Sequence, residues 1–477
     1  MKDIQFIIQV ISRFLARHSK GLTLNFGQIN QIYLVKFLKG KRILLVGLIV
    51  SVLIITVWQL WPKYYLGNAL SEGLIGVYSQ STLPITVTHL LSEPLVKLDA
   101  VGKPQANLVS GWQVNSNATV YSFKLKGDLY WNDGSKVKSS DIKFNLPDVE
   151  VSYPDDKTLE FKLADSFSPF PTLLTTPIFK HNSLVGLGKY RIVHQEQSKS
   201  LVIKLVLTPI KKYQELPPVV VRFYPDEKTA MVAFDLGEVD SVVGVSGTDA
   251  SVQPSAKISL IPSFTKLVAI FYNTKDPILS DKNIRKALGA AAPKLEGVER
   301  AKTPIPASSW AFNSDLKDNL GDKDVAKSYL QKVQSGKDST IALTTIPALA
   351  DQGEKIIQAW KEIGINAVLR IESGIPQNFQ ALLAAEPIPL DPDQYALWHS
   401  TQGKTNISKY SSPRVDKDLE DGRKTGDMET RKEKYLDFQK VLQDDSPATF
   451  LYFPKTKVIF RRKVENILNQ VTSLQLL

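Results

Sequence analysis

The segment from Pro387 to Ser400 concentrates side chains that could do chemistry. Its sequence, PIPLDPDQYALWHS, brings together two carboxylates, a phenol, an indole and an imidazole. Its prolines exclude a regular helix or a central strand, so the segment is predicted to be a constrained loop. Such a loop either binds a ligand or covers a core, with Asp393 capping a helix and Tyr395 and Trp398 packed inward. The local sequence leaves both interpretations open.

The familiar catalytic motifs are missing from the chain. There is no Gly-x-Ser-x-Gly elbow, no glycine-rich loop ending in Lys-Ser/Thr and no His-Glu-x-x-His. The 5 histidines are scattered singly, and a lone histidine is usually structural. With 0 cysteines the chain has no disulfide, thiol nucleophile, thiolate metal site or lipid-modified N-terminal cysteine. We therefore expect no enzyme, no catalytic residue, no cofactor and no metal site.

The basic charge and one long apolar run both lie near the N-terminus. Residues 1–42 contribute +7 of the net charge of +11, so the charge does not indicate a nucleic-acid surface. The 19 residues from Ile43 to Trp61 carry no charge and are long enough to cross a bilayer as a helix. Lys39, Lys41 and Arg42 precede this run, which predicts a cytoplasmic N-terminus and an extracytoplasmic body.

Two alternatives concern this N-terminal part. A cleaved signal peptide is the alternative to an uncleaved anchor, but forty residues before the apolar run are too many, and no small-x-small site stands out near Pro62. Residues 4–17 have the pattern of an amphipathic helix that lies on the inner leaflet, or of a short cytoplasmic helix with no special role.

The rest of the chain alternates between predicted strands and helices, which indicates an α/β protein. Residues alternate between apolar and polar in three predicted strands, Thr119–Leu125, Leu159–Leu163 and Leu201–Leu207. Helices are predicted for Glu227–Leu236, capped by Asp226, and for Asp281–Leu288, capped by Ser280. Asp351 and Glu354 form a capping box at the start of a further predicted helix that runs through Ile363. A strand is predicted for Ile365–Ile371, and a long helix near Met428–Leu442.

Several stretches together resemble family 5 extracellular solute-binding proteins, the oligopeptide/dipeptide/nickel-binding components of ABC importers. The opening of that family is similar to Leu91–Trp112, Tyr121–Leu125 and Trp131–Phe144, where Asp133-Gly134 supplies a turn and Ser139 or Ser140 would start a helix. Later matches are Gly186–Tyr190, Leu236–Asp240, Phe271–Thr274, Asn283–Leu288, Tyr410–Leu419 and Asp444–Ala448. The resemblance extends from about Leu74 to Pro454.

The resemblance implies a two-lobed type II periplasmic-binding-protein fold with an extra subdomain, preceded here by one transmembrane helix. The expected divisions are a basic cytoplasmic tail at 1–42, an anchor at 43–61, lobe I at 62–87, 187–267 and 453–477, the extra lobe I subdomain at 88–186, and lobe II at 268–452. Hinge closure would enclose a ligand between the lobes.

The implied function is that of an extracytoplasmic, membrane-anchored, monomeric substrate-binding protein. It would bind a peptide or another small solute and deliver it to an ABC permease and ATPase. A surface-retained peptide sensor or scaffold with the same fold is the alternative. The expected ligand contacts are Trp131, Tyr272, Asn273, Asp391, Asp393, Tyr395, Trp398 and His399.

One departure from the family affects the predicted site. Peptide-binding relatives place an acid just before the Asp-Pro-Asp turn, where it pairs with the free amino group of the ligand. Here Ile388, Pro389 and Leu390 occupy those places. Asp391 or Asp393 is left as a substitute.

Overall fold

The computed structural model of the protein describes residues 69–246, 255–295, 298–333, 339–374 and 376–471. Residues Asn68–Leu477 form one compact unit. The predicted basic tail, the helix at 4–17 and the membrane span Ile43–Trp61 lie outside the described residues. Within the described ranges, no helix combines the length and apolar character needed to cross a membrane.

Lobe I contains the strands β1 (Leu70–Ile75), β2 (Tyr78–Ser79), β9 (Tyr190–Ser198), β10 (Leu201–Pro209), β11 (Val219–Tyr224), β12 (Ser241–Val245), β13 (Ala256–Pro262) and β20 (Lys455–Arg461). They form one sheet in the order β13-β20-β12-β1-β11-β10-β2, with β9 paired to β10. Valines fill most of the buried positions of β11 and β12, since β-branched side chains pack well on a pleated surface. The helices of lobe I are α1 (Ile85–Leu91), α3 (Glu227–Asp235) and α10 (Glu465–Val471).

Lobe II is built on a sheet of order β15-β19-β14-β18-β16-β17. Its central strand β14 has a hydrophobic cluster on each face, which explains its nearly continuous apolar sequence. The strands are β14 (Lys266–Tyr272), β15 (Glu299–Arg300), β16 (Ile341–Thr345), β17 (Ala367–Ile371), β18 (Ala381–Pro387) and β19 (Ala448–Phe453); the helices are α4 (Lys282–Ala291), α5 (Lys323–Leu330), α6 (Ala350–Glu362), α7 (Tyr395–Trp398), α8 (Pro413–Lys424) and α9 (Met428–Asp445).

The extra subdomain contains a sheet of order β5-β6-β8-β7, a pair β3-β4 and one short helix. The chain returns from it to lobe I through a close approach: a Cβ on Gly186 or Gly188 would lie within 2.4 Å of the Leu91–Ser92 backbone and side chain, so only glycine fits. Its elements are β3 (Val96–Leu98), β4 (Pro104–Ala106), β5 (Val109–Val114), β6 (Val120–Leu125), β7 (Val149–Asp155), β8 (Thr158–Leu163) and α2 (Phe170–Leu173).

Some local predictions are confirmed and others are wrong. The strands predicted from alternation are β6, β8 and β10, and Asp226 caps α3 by accepting from the amide of Thr229 at 2.8 Å. The helix predicted to start at Ser139 or Ser140 is a single 3-10 turn, because the next residue, Ile142, is extended and bridges to Lys180. Asp281, rather than Ser280, caps α4, and α6 begins without a side-chain cap.

Candidate ligand-binding cleft

Two short chain segments join the lobes. Residues 263–265 connect β13 to β14, and Pro454 connects β19 to β20. The amide of Ser263 donates to the carbonyl of Pro454 over 2.8 Å, which ties the two crossings together. The chain from Pro262 to Lys266 spans at most about 14 Å even when fully extended. The sheet edges from which these crossings leave are therefore close together.

The crossings leave lobe I at the carboxyl ends of its parallel strands. Lys457, near the start of β20, pairs with Val245 at the end of β12, because the two strands are antiparallel. Strands β1 and β11 run parallel to each other and β1 runs parallel to β12, so Ile75 and Tyr224 end at the same edge.

Lobe II presents the same kind of edge. Lys266, at the start of β14, pairs with Pro387 at the end of β18. Strands β16 and β17 run parallel to β18 and end there as well, with Thr345 beside Ile371. Two carboxyl edges thus face each other across the crossings. Open α/β sheets bind their ligands outside the carboxyl ends of the strands, so this gap is the candidate ligand-binding cleft.

The cleft edges carry large apolar side chains that no core covers. Val77, after β1, is 57% exposed, Ile371 at the end of β17 is 51% exposed, and Leu390, just after β18, is 48% exposed. Exposed apolar residues are ordinary when scattered. Here they belong to loops and strand ends on both sides of one gap, where they could pack against a ligand.

Glu386 is an acidic residue on the lobe II edge of the cleft. It precedes the last residue of β18 and pairs in register with Leu267 of β14. Burial raises the pKa of the Glu386 carboxyl. Among the described residues it has no hydrogen-bond or ion-pair partner. A half-buried carboxylate without a partner would gain from a cationic group on a ligand.

The carboxylates predicted as ligand contacts lie inside lobe II. Asp391 accepts from the guanidinium of Arg431 at 2.6 Å, and both side chains are nearly fully buried. Although burial disfavours the charged form, the nearby Asp391 carboxylate and Tyr435 hydroxyl raise the pKa of Arg431. Asp393 accepts from Arg423 at 2.8 Å. Both acids thus have cationic partners within the chain.

The predicted aromatic contacts pack in the same cluster. The Tyr395 ring stacks on His399 with their centroids 4.1 Å apart. Trp398 is 2% exposed and lies against Phe271 and Phe450. The structure therefore brings Asp391, Asp393, Tyr395, Trp398 and His399 together, with four of them buried and Tyr395 partly buried.

The remaining predicted contacts lie elsewhere. Tyr272 is the last residue of β14 and Asn273 follows it; because β14 is antiparallel to β18, both are at the edge of the lobe II sheet opposite the cleft. The Tyr272 hydroxyl hydrogen-bonds to Thr449 at 2.8 Å, and the Asn273 amide donates to the Phe379 carbonyl. Trp131 is 1% exposed in the core of the extra subdomain. Ligand contact at these eight positions stays a prediction.

Sequence reasoning missed Glu386, although its position carried a signal. It is an acid at the end of an otherwise small and apolar strand, Ala381–Pro387, just before the proline-rich loop.

Within the described ranges, no group of three or more His, Cys, Asp or Glu side chains could hold a metal ion.

Two α/β lobes with facing carboxyl edges and two short crossings define the class of two-lobed periplasmic-binding proteins. Residues 103–406 match the model of the bacterial extracellular solute-binding proteins, family 5 Middle. This match covers more than half of the chain. The protein belongs to that family.

Individual relatives are distant in sequence and similar over most of their length. The oligopeptide-binding protein AppA of Bacillus subtilis is 22% identical over 84% of this chain and 88% of its own. The structure of AppA with a nonapeptide superposes with a TM-score of 0.59 at 21% identity, covering 84% of this chain and 98% of that one. A nickel ABC transporter structure from Bacillus halodurans gives a TM-score of 0.68 at 17% identity, covering 83% and 96%.

Proposed function

We propose that the protein is the membrane-anchored substrate-binding component of an ABC importer and takes up a peptide or a similar small solute by closing its lobes around it. The observation that carries this proposal is the pair of facing carboxyl edges with their exposed apolar residues and an unpartnered acid. The similarity to the oligopeptide-binding relative, which extends over 84% of this chain, supports a peptide as the ligand class.

Glu386 gives the proposed site its polarity. Its carboxylate would accept a charge-assisted hydrogen bond from a cationic group of the ligand, such as a free amino terminus. Val77, Ile371 and Leu390 would cover apolar ligand side chains. Because the ligand replaces water at a half-buried carboxylate, we expect the pairing to change affinity by about 1.5–3 kcal/mol, or roughly 10- to 100-fold.

Binding of synthetic peptides to the purified full chain tests this function. Defined pools of two- to six-residue peptides should raise the melting temperature, because a ligand that binds the folded state stabilises it. No shift with any pool would refute the peptide assignment, and mass spectrometry of co-purifying molecules, nickel chelates included, would then identify the ligand.

The role of Glu386 has its own test. Calorimetry with a binding peptide should show Glu386→Gln weakened roughly 10- to 100-fold, with the N-acetylated peptide equally weak on both proteins. Glu433→Gln, an exposed glutamate on α9, is the matched control and should bind as the unaltered chain does. Equal affinity of free and acetylated peptides would remove Glu386 from the site.

Anchoring is a separate part of the proposal. The uncharged run Ile43–Trp61 and the basic residues before it support a single span with a cytoplasmic N-terminus. A topology reporter fused after Leu477 should give an extracytoplasmic signal. A cytoplasmic signal would overturn the proposed orientation.

A further inference from the structure

The extra subdomain contacts lobe II as well as lobe I. The amide of Ser168 donates to the carbonyl of Arg423 at 2.8 Å, and the amide of Trp310 donates to the carbonyl of Val101 at 2.9 Å. We call this contact the seam: Val101 and residues 166–168 of the subdomain against Trp310 and residues 422–424 of lobe II. The seam lies outside the two crossings that join the lobes.

Serine hydroxyls add to the main-chain bonds of the seam. Ser166 donates to the Lys424 carbonyl at 3.2 Å, and Ser168 donates to the Gly422 carbonyl at 3.3 Å. The acceptors are the last carbonyls of α8, which have no partner within their own helix. The subdomain thus caps the carboxyl end of a lobe II helix from outside that lobe.

Arg423 holds the lobe II side of the seam in place. Its guanidinium donates to Asp393 at 2.8 Å and lies 4.0 Å from the centroid of the Tyr395 ring. Its position is therefore set by lobe II itself. The same guanidinium lies 5.0 Å from the centroid of the Phe167 ring of the subdomain, a cation–π contact between the two bodies.

The seam differs from the junction between the subdomain and lobe I. Beside the seam is a cavity of about 290 Å³ lined from both bodies, including Trp112, Tyr121 and Met428. The junction with lobe I is instead close-packed at Gly188, and the Asn132 amide donates to the carbonyls of Gly188 and Tyr190. A rotation about the crossings would therefore carry the subdomain with lobe I and break the seam.

We propose that the seam is a latch that holds lobe II against the extra subdomain in the absence of ligand. Opening of the cleft then requires the release of the Ser166–Lys424, Ser168–Gly422, Ser168–Arg423 and Trp310–Val101 hydrogen bonds. Ligand entry is gated by these contacts, and a ligand is not needed to bring the lobes together. The latch rests on the hinge assumed in the proposed function and does not depend on the ligand.

Distance measurement on the ligand-free chain tests the latch. The sequence has 0 cysteines, so Asn117→Cys in the subdomain and Glu433→Cys in lobe II, both exposed positions, supply the sole sites for spin labels. The unaltered seam should give one dominant distance. Ser166→Ala/Ser168→Ala should add a longer distance and raise the open-to-closed ratio at least about tenfold, since two of the hydrogen bonds that join the subdomain to lobe II are lost.

The matched control removes equivalent bonds away from the seam. Ser110 and Ser183 each donate a hydroxyl to a carbonyl within the subdomain, at 3.2 and 2.9 Å. Ser110→Ala/Ser183→Ala should leave the distance distribution unchanged. Amide hydrogen exchange at Ser168 and Trp310 should accelerate in the seam variant and not in the control.

Two results would overturn the latch. One is an identical distance distribution in the seam variant and its control. The other is a broad, long distance in the ligand-free chain with an intact seam. Because no ligand is added, a chain that binds no peptide can still show the latch, so failure of the peptide assignment and failure of the latch are separate outcomes.

Discussion

Glu72 makes the stability of lobe I depend on pH. It lies in the central strand β1 beside Val221 of β11 and Ser241 of β12, with its side chain on the same face as the buried Leu70 and Leu74. Burial raises its pKa from 4.5 to about 7. The folded chain therefore binds this proton more tightly than the unfolded chain does.

The sign and size of the effect follow from that difference. The contribution of Glu72 to the free energy of unfolding is largest below about pH 4.5 and falls as pH rises, until the folded carboxyl is ionised above about pH 7. At about 1.36 kcal/mol for each unit of pKa, the whole loss is about 3 kcal/mol, of which about 2.5 kcal/mol falls between roughly pH 5 and pH 8.

Replacing Glu72 with glutamine removes its pH-dependent contribution to the free energy of unfolding. The unfolding free energy of Glu72→Gln should exceed that of the unaltered chain by about 2.5 kcal/mol more at roughly pH 8 than at roughly pH 5, in urea unfolding followed by circular dichroism. Hydrogen exchange of the β1 and β11 amides gives a readout confined to lobe I, since the lobes can unfold separately. Glu215→Gln, which removes an exposed glutamate, is the matched control. If the unfolding free energies of Glu72→Gln and the unaltered chain differ by the same amount at both pH values, Glu72 does not make the stability of lobe I depend on pH.

Two further predictions concern the cluster behind the cleft. Arg431→Met should lower the unfolding free energy by about 3–5 kcal/mol, because the buried Asp391 carboxyl loses its cationic partner. Arg414→Met, which breaks an exposed pair, should cost no more than about 1 kcal/mol in the same urea unfolding series. Trp398→Ala should cost about 3–5 kcal/mol by opening a cavity between two rings, with peptide affinity unchanged in the folded fraction. A loss of peptide affinity without a loss of unfolding free energy would instead show that Trp398 contacts the ligand.

Local pattern predicted several of the regular elements and missed features that depend on distant residues. Alternation identified β6, β8 and β10, and the helix expected to run through Ile363 is α6, which ends at Glu362 shortly before Gly364 with its φ of +90°. The helix expected at Ser139 failed because the Ser139 amide and hydroxyl bond instead to the carbonyls of Asp156 and Asp155, next to the turn between β7 and β8. No local signal identifies those partners.

The same limit explains what the sequence indicated about the site. A loop rich in acids and aromatic rings has the composition of a binding site and equally that of an internal brace. The difference is whether each polar group finds a partner within the chain. Asp393 pairs with an arginine 30 positions later and Asp391 with one 40 positions later, and only the folded chain brings those pairs together.

That criterion divides the stretch from Glu386 to Ser400 into two parts with different roles. From Asp391 onward both carboxylates are paired with arginines, and one of these, Arg423, also supports the seam with the subdomain. Before Asp391, Glu386 has no partner among the described residues, and Leu390 is half exposed. A ligand in the cleft would meet this earlier part, and the later part would hold it in position. In the proposed function, the acids and aromatic rings from Asp391 onward would therefore position the site, and Glu386 would give it its charge.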